Sequence, residues 1–114
     1  VEYIESFRLY GKKIINNGEY WLIHAGMEYF SESRRLEEYS VEELVWKRTD
    51  FDITYFKNIT VVSGHTPTQN ILGNSRPGYI FKKNNHIAID CGAGKNNGRL
   101  AVICLDTGEE YYAE

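Results

Sequence analysis

The segment LYGKKIINNGEYWLIHAG, residues 9–26, has the pattern of a β-hairpin. Two β-prone runs, residues 12–15 and 19–23, flank an Asn-Asn-Gly sequence at positions 16–18. Asn-Gly supplies the positive-φ residues that a tight hairpin turn requires. After the second run, His24-Ala25-Gly26 breaks the pattern with small residues. We therefore predict two paired strands that end at His24.

Working outward from this hairpin, one short helix and several strands are predicted. Ser40 followed three residues later by Glu43 is a capping-box signature, and it places a helix from residue 41 to about residue 48. Residues 58–63 are dense in β-branched side chains and predict a buried strand, which Pro67 closes. Four more strands are predicted at residues 79–82, 86–90, 100–105 and 110–112.

The remaining segments are less regular. Residues 27–40 are polar and charged and are predicted to be a loop, while residues 1–10 have the spacing of the end of a helix. The sum is an α+β fold, a mostly antiparallel β-sheet with one or two short helices, in which hairpins join most of the strands.

The composition describes one globular unit. With 114 residues the chain has room for a single domain, residues 1–114, and its 42% hydrophobic and 25% charged residues are typical of a soluble protein. The net charge of -3, without a basic run, argues against nucleic acid as a partner. No apolar stretch reaches the roughly 20 residues that a membrane span needs, so we expect a cytoplasmic protein with no membrane partner. Cys91 and Cys104 are expected to be reduced thiols.

Two histidines have the same local setting. His24 and His65 each follow a predicted strand and lie beside small residues. A side chain at a strand end is held by the sheet yet projects from its edge, and neutral imidazole is the commonest side-chain metal ligand. The two residues are therefore candidate metal ligands, or else ordinary histidines in turns. Two histidines do not complete a site that requires four to six donors.

Three other polar residues need an assignment. Arg48 at the end of the predicted helix offers a bidentate fork for a phosphate or a carboxylate, or is a surface cation favoured by the helix C-terminus. Asp90 ends an apolar run and either bonds the following turn or orients a histidine. His86, in a Lys-Asn-Asn-His sequence, is predicted to be exposed in a turn.

Four short motifs follow one another along the chain, and their order is informative. They are His-Ala-Gly at 24–26, Trp-Lys-Arg at 46–48, Gly-His-Thr-Pro at 64–67 and Ile-Asp-Cys-Gly at 89–92. Together they resemble the calcineurin-like metallophosphoesterases, in particular the bacterial serine/threonine protein phosphatase and diadenosine tetraphosphatase branch. The resemblance covers nearly the whole chain. It implies that His24 and His65 are ligands of the second of two metal ions, and that Arg48 binds the substrate phosphate.

The family's other motifs do not occur in these 114 residues. Asp-x-His, Gly-Asp-x-x-Asp-Arg-Gly and Gly-Asn-His-Glu are all missing from the sequence. The resemblance is therefore to the C-terminal half of the four-layer α/β/β/α sandwich that the family forms. It implies a dinuclear Mn, Fe or Zn centre that only the complete domain would assemble. We expect this chain alone to bind metal weakly and to have little or no phosphatase activity.

The resemblance implies a hydrolase, the C-terminal portion of a metal-dependent phosphoesterase that acts on phosphoserine or phosphothreonine by metal-activated hydroxide attack. One alternative is a dinucleoside polyphosphate hydrolase of the same family, so the expected partner is a phosphorylated protein or a nucleotide substrate. Another is a non-catalytic binding module. In either case an exposed sheet face could promote self-association.

Overall fold

The computed structural model describes residues 9–114. Within these residues there are seven strands, one α-helix and two short 3-10 turns. The predicted helix end at residues 1–10 falls almost entirely outside the described residues, and Tyr10 already belongs to the first strand. In chain order the elements are β1 (Tyr10–Ile15), β2 (Gly18–Ile23), a 3-10 turn (Leu36–Glu38), α1 (Val41–Val45), β3 (Ile59–Ser63), a 3-10 turn (Thr68–Asn70), β4 (Phe81–Lys83), β5 (His86–Ala88), β6 (Leu100–Ile103) and β7 (Glu110–Ala113).

The α+β prediction is confirmed, and the larger sheet is mixed. Its five strands lie in the order β1-β2-β3-β5-β4, and β6 and β7 form a separate two-stranded sheet. The hairpin pairings β1–β2, β4–β5 and β6–β7 are antiparallel, as the sequence predicts. The two central pairings, β2–β3 and β3–β5, are parallel instead. Parallel strands need a long crossover, and residues 24–58, which include α1, provide the one between β2 and β3.

Asparagine pairs make two of the hairpin turns. Asn16 and Asn17 join β1 to β2 with φ angles of 49° and 67°, and Asn84 and Asn85 join β4 to β5 with φ angles of 51° and 62°. Asparagine tolerates this left-handed region better than most residues with a side chain. The first turn therefore uses Asn16-Asn17, and Gly18 is already the first residue of β2.

The main hydrophobic core lies on one face of the larger sheet. Trp21 and Ile23 of β2 and Val61 of β3 point into it. Residues 27–40, predicted as a polar loop, supply three of its buried side chains, namely Met27, Leu36 and Tyr39. Because Leu36 is fully buried, the loop is a packed cover for the sheet rather than an exposed connection.

His86 is the clearest departure from the sequence prediction. It is 1% exposed, although its position in a polar turn predicts solvent contact. The reason is that β5 is an inner strand of the sheet, next to β3, and residues 51–55 pack over it. The His86 Nε2 atom lies 2.7 Å from the Ile53 carbonyl oxygen. Burial lowers the pKa of this imidazole.

Both cysteines are free thiols, as predicted. Cys91 is buried, which raises the pKa of its thiol, while Cys104 is partly exposed. No helix within residues 9–114 has both the length and the apolarity that crossing a lipid bilayer requires.

Candidate functional site

His24 and His65 lie side by side at one edge of the larger sheet. Their ring centroids are 5.2 Å apart, with the ring planes inclined by 45°. The parallel pairing of β2 and β3 explains this proximity, because the carboxyl ends of parallel neighbours meet at the same edge. The Gly64 amide donates to the His24 carbonyl oxygen at 2.9 Å and extends the contact beyond the strands.

The backbone at His65 has an unusual conformation. Its φ angle is 67°, in the left-handed region that residues with a Cβ rarely adopt. Such a conformation costs of order 1–3 kcal/mol and persists where the surroundings impose it. Here the chain leaves β3 at Ser63 and turns through Gly64, which turns the imidazole of His65 toward that of His24.

Arg48 lies three residues after α1. This helix is stabilised by a capping box at its start and by a buried leucine in its middle. The Ser40 amide donates to Glu43 Oε1 at 2.8 Å and the Ser40 hydroxyl accepts from the Glu43 amide at 3.3 Å, which confirms the predicted capping box. Arg34 also grips the Glu43 carboxylate, at 2.8 and 3.0 Å, and this pairing lowers the pKa of Glu43 to about 2. Leu44 is fully buried in the core.

The segment after α1 packs directly against the loop that carries His24. The Ala25 amide donates to the Leu44 carbonyl oxygen at 3.0 Å, and the Thr49 hydroxyl donates to the Ala25 carbonyl oxygen at 2.8 Å. Gly26 makes this approach possible, since a Cβ there would overlap the carbonyl oxygen of Lys47. These contacts bring Arg48 to the histidine edge of the sheet.

Arg48 is exposed, and its direction is fixed by Thr66. Arg48 Nη1 donates to Thr66 Oγ1 at 3.0 Å. Thr66 is 9% exposed and follows His65 in the chain, so a buried hydroxyl ties the guanidinium to the histidine loop. No salt bridge of Arg48 occurs among residues 9–114, which leaves its charge available to an anion.

Two residues that lie beside the histidines, Trp46 and Thr66, were not predicted to be part of the candidate site. Trp46 is the C-cap residue that follows α1, is 69% exposed, and lies edge-on to His65 with ring centroids 6.4 Å apart. Thr66 holds Arg48, as described above. The only sequence signal for Trp46 is weak: a large aromatic residue beside Lys47 and Arg48 is expected at the surface rather than in the core. It carries none for Thr66, whose role depends on a contact 18 residues away.

Asp90 has the first of the two roles considered for it, a bond to the turn that follows it. Its Oδ1 accepts from the Gly92 amide at 3.0 Å, and its carbonyl oxygen accepts from the Thr68 amide at 2.8 Å. The second bond links the end of the β5 segment to the loop that begins at His65. Asp90 therefore supports the loop, and no bond from its carboxylate to either site histidine occurs among the described residues.

The separation of the two histidine rings can be compared with that of two imidazole ligands on one divalent cation. With metal-nitrogen bonds of about 2.0–2.1 Å, two imidazoles on a tetrahedral ion have centroids roughly 5 Å apart, close to the observed separation. The donor set stops there, because residues 9–114 contain no group of three or more His, Cys, Asp or Glu side chains arranged to hold a metal. His24 and His65 are thus the two candidate donors that the structure brings together.

In comparisons with known proteins, the chain matches no protein-family model, no curated protein and no solved structure.

Proposed function

We propose that the chain forms part of a metal-dependent phosphoesterase that hydrolyses phosphomonoesters, with phosphoserine or phosphothreonine side chains as the substrate class. The observation that carries the proposal is the adjacency of His24 and His65, with ring centroids 5.2 Å apart, beside the anchored guanidinium of Arg48. The ordered motifs of the metallophosphoesterases, quoted above, support the same reading.

Each of the three residues has a distinct task in this proposal. His24 and His65 bind one divalent cation through neutral imidazole nitrogens. Arg48 binds the equatorial phosphoryl oxygens and stabilises the charge that develops on them in the transition state. When bound, the cation supplies charge neutralisation and water activation. Because Thr66 holds the guanidinium, Arg48 does not have to be ordered when substrate arrives.

Two donors leave most of a cation's coordination open. Carboxylate and amide ligands for the same ion, and for a second one, are proposed to come from a segment outside these 114 residues. We expect this chain alone to bind metal weakly and to hydrolyse phosphomonoesters slowly or not at all. The same residues also suit a dinucleoside polyphosphate hydrolase, because its phosphates present the same oxygens to Arg48.

A non-catalytic phosphate-binding module is the second candidate. The observation that favours it is the bond from Arg48 Nη1 to Thr66 Oγ1 at 3.0 Å, which orients the guanidinium without any metal. Such a module would use Arg48 alone, and its affinity for phosphate would not depend on metal.

The two candidates differ in how metal and phosphate binding are linked. Phenyl phosphate is titrated into the chain by NMR, with and without Zn²⁺, and the experiment is repeated with Arg48→Ala. Lys47→Ala is the matched control, because Lys47 is an exposed cation at the adjacent position. The phosphoesterase proposal predicts that Zn²⁺ strengthens phenyl phosphate binding, that Arg48→Ala weakens it, and that Lys47→Ala has little effect.

Zinc-independent binding of phenyl phosphate that still requires Arg48 would favour the binding module. Binding that survives Arg48→Ala would contradict both candidates.

A further inference from the structure

Arg48 also lines a cavity of about 230 Å³ that is separate from the histidine pair. The loop after α1 forms one wall, residues 48–52, and the loop after β3 forms the other with Thr66 and residues 70–72. The cavity therefore begins at the proposed phosphate-binding residue and extends away from it.

The cavity carries opposite charges on one wall. Arg48 provides the cation, and Asp50, two residues later, provides an exposed anion. Neither residue forms a salt bridge among residues 9–114. The Asp50 carboxylate accepts one local bond from the Asp52 amide at 3.0 Å, which leaves its charge unneutralised. Asp52 differs, because Lys83 Nζ lies 2.7 Å from its Oδ1 atom.

The opposite wall includes two apolar side chains, Ile71 and Leu72, beside Thr66 and Asn70. Leu72 is 94% exposed although it lines the cavity, and Ile71 beside it is 9% exposed. An exposed leucine adds nothing to the core, but it can cover the aliphatic part of a ligand. Lysine and arginine side chains have such a part, with a charge at its end. The lining thus matches a ligand with an anion, an aliphatic stem and a cation.

We propose that this cavity selects phosphopeptides that carry a basic residue next to the phosphorylated residue. The phosphate binds Arg48, the aliphatic stem of the neighbouring Lys or Arg lies against Leu72, and its cationic head pairs with Asp50. The inference rests on the proposed function, since it takes Arg48 as the phosphate-binding residue. It adds a substrate preference that comes from charge complementarity.

Four peptides test this preference. They are Ac-Ala-Lys-pThr-Lys-Ala-NH₂, the same peptide with Glu in place of both lysines, and the unphosphorylated form of each. Each is titrated by NMR into the chain and into Asp50→Asn, with Asp52→Asn as the matched control. Both substitutions remove one negative charge, so the comparison separates Asp50 from the general attraction of a chain with net charge -3. Thermal melting checks that the variants fold.

We expect the basic phosphopeptide to bind about two- to fivefold more tightly than the acidic one, the range typical of an exposed ion pair. Asp50→Asn should remove most of this preference, whereas Asp52→Asn should keep it. Asp50→Lys, which reverses the charge, should make the acidic phosphopeptide the better ligand.

Two results would overturn the inference alone, provided that phosphorylation strengthens binding through Arg48. They are equal affinity for the two phosphopeptides, and an equal loss of preference in Asp50→Asn and Asp52→Asn. If instead phosphorylation has no effect on binding, both the inference and the proposed function are contradicted.

Discussion

The imidazole rings of His24 and His65 lie with their centroids 5.2 Å apart, although 41 positions separate them in the chain. Their proximity depends on the parallel pairing of β2 with β3, in which Trp21 is opposite Val61. In an antiparallel pairing of the same two strands, the residues that follow each strand would lie at opposite ends. The strand direction thus brings the two candidate ligands together.

Gly26 should be required for the approach of Arg48 to this site. A Cβ at position 26 would overlap the Lys47 carbonyl oxygen and come within 3.0 Å of the Thr49 amide nitrogen. We expect Gly26→Ala to lower the free energy of unfolding by about 1–3 kcal/mol, the usual cost of overpacking. Urea denaturation measures it.

Gly64→Ala is the matched control, because a Cβ at Gly64 would meet the His24 carbonyl oxygen at an ordinary 3.5 Å. It should cost less than Gly26→Ala. Equal stability of Gly26→Ala and the unmodified chain would show that the segment after α1 is not tightly packed at this point.

Thr66 should act as a positioning residue for Arg48. Thr66→Val keeps the shape of the side chain but removes the oxygen that accepts from Arg48 Nη1 at 3.0 Å. We expect it to weaken phenyl phosphate binding about three- to tenfold, in line with the net value of one hydrogen bond. Thr66→Ser, which keeps the hydroxyl, should restore most of the affinity. If Thr66→Ser binds as weakly as Thr66→Val, the hydroxyl is not what orders Arg48.

His86 should make stability depend on pH. Burial holds its pKa below the ordinary value of about 6.5, and the groups that face it are the aromatic rings of Phe51 and Tyr55 with the carboxylate of Asp50 nearby. The folded state keeps the imidazole neutral while the unfolded chain binds a proton below about pH 6.5. Stability should therefore be fully present above that pH, and fall as the pH decreases toward the folded pKa.

Urea midpoints measured between pH 7.5 and pH 5 check this expectation. His86→Phe removes the titrating group from the same aromatic surroundings and should flatten the curve in this range, at some cost from the lost bond to Ile53. An unchanged pH dependence in His86→Phe would assign the effect to other groups.

The chain by itself should be a poor phosphatase. Two neutral imidazoles bring no negative charge to offset two dications, and no group of three or more His, Cys, Asp or Glu side chains that could hold a metal occurs among residues 9–114. We expect little or no hydrolysis of p-nitrophenyl phosphate with Mn²⁺. Strong Mn²⁺-stimulated hydrolysis that His65→Ala abolishes would contradict this prediction.

Local sequence signals predict the elements of this fold well, and its pairings less well. Hairpin turns and the Ser40–Glu43 capping box involve only a few adjacent residues, so they can be recognised without the rest of the chain, although the first turn uses Asn16-Asn17 and not the predicted Asn-Gly. The parallel crossover between β2 and β3 depends on where residues 24–58 pack, and no local motif specifies it. Burial of His86 likewise depends on packing of a distant segment, since Ile53, which contacts its ring nitrogen, is 33 residues away in the chain.

In the candidate site too, some residues could be predicted from local sequence and others could not. His24, His65 and Arg48 are singled out by residue type, strand ends and motif order, and the structure brings them to one edge of the sheet. The contact of Thr66 with Arg48, and the proposed role of Asp50, depend on positions in space that spacing along the chain does not predict.

The central claim is that His24 and His65 bind one cation together. A Zn²⁺ titration of the chain, followed through the imidazole resonances of its three histidines, tests it directly. We expect the His24 and His65 resonances to shift together with one weak binding constant, while those of buried His86 do not move. His24→Ala should abolish the shift at His65, and His65→Ala the shift at His24. Independent shifts that survive the loss of the other histidine would contradict a shared site.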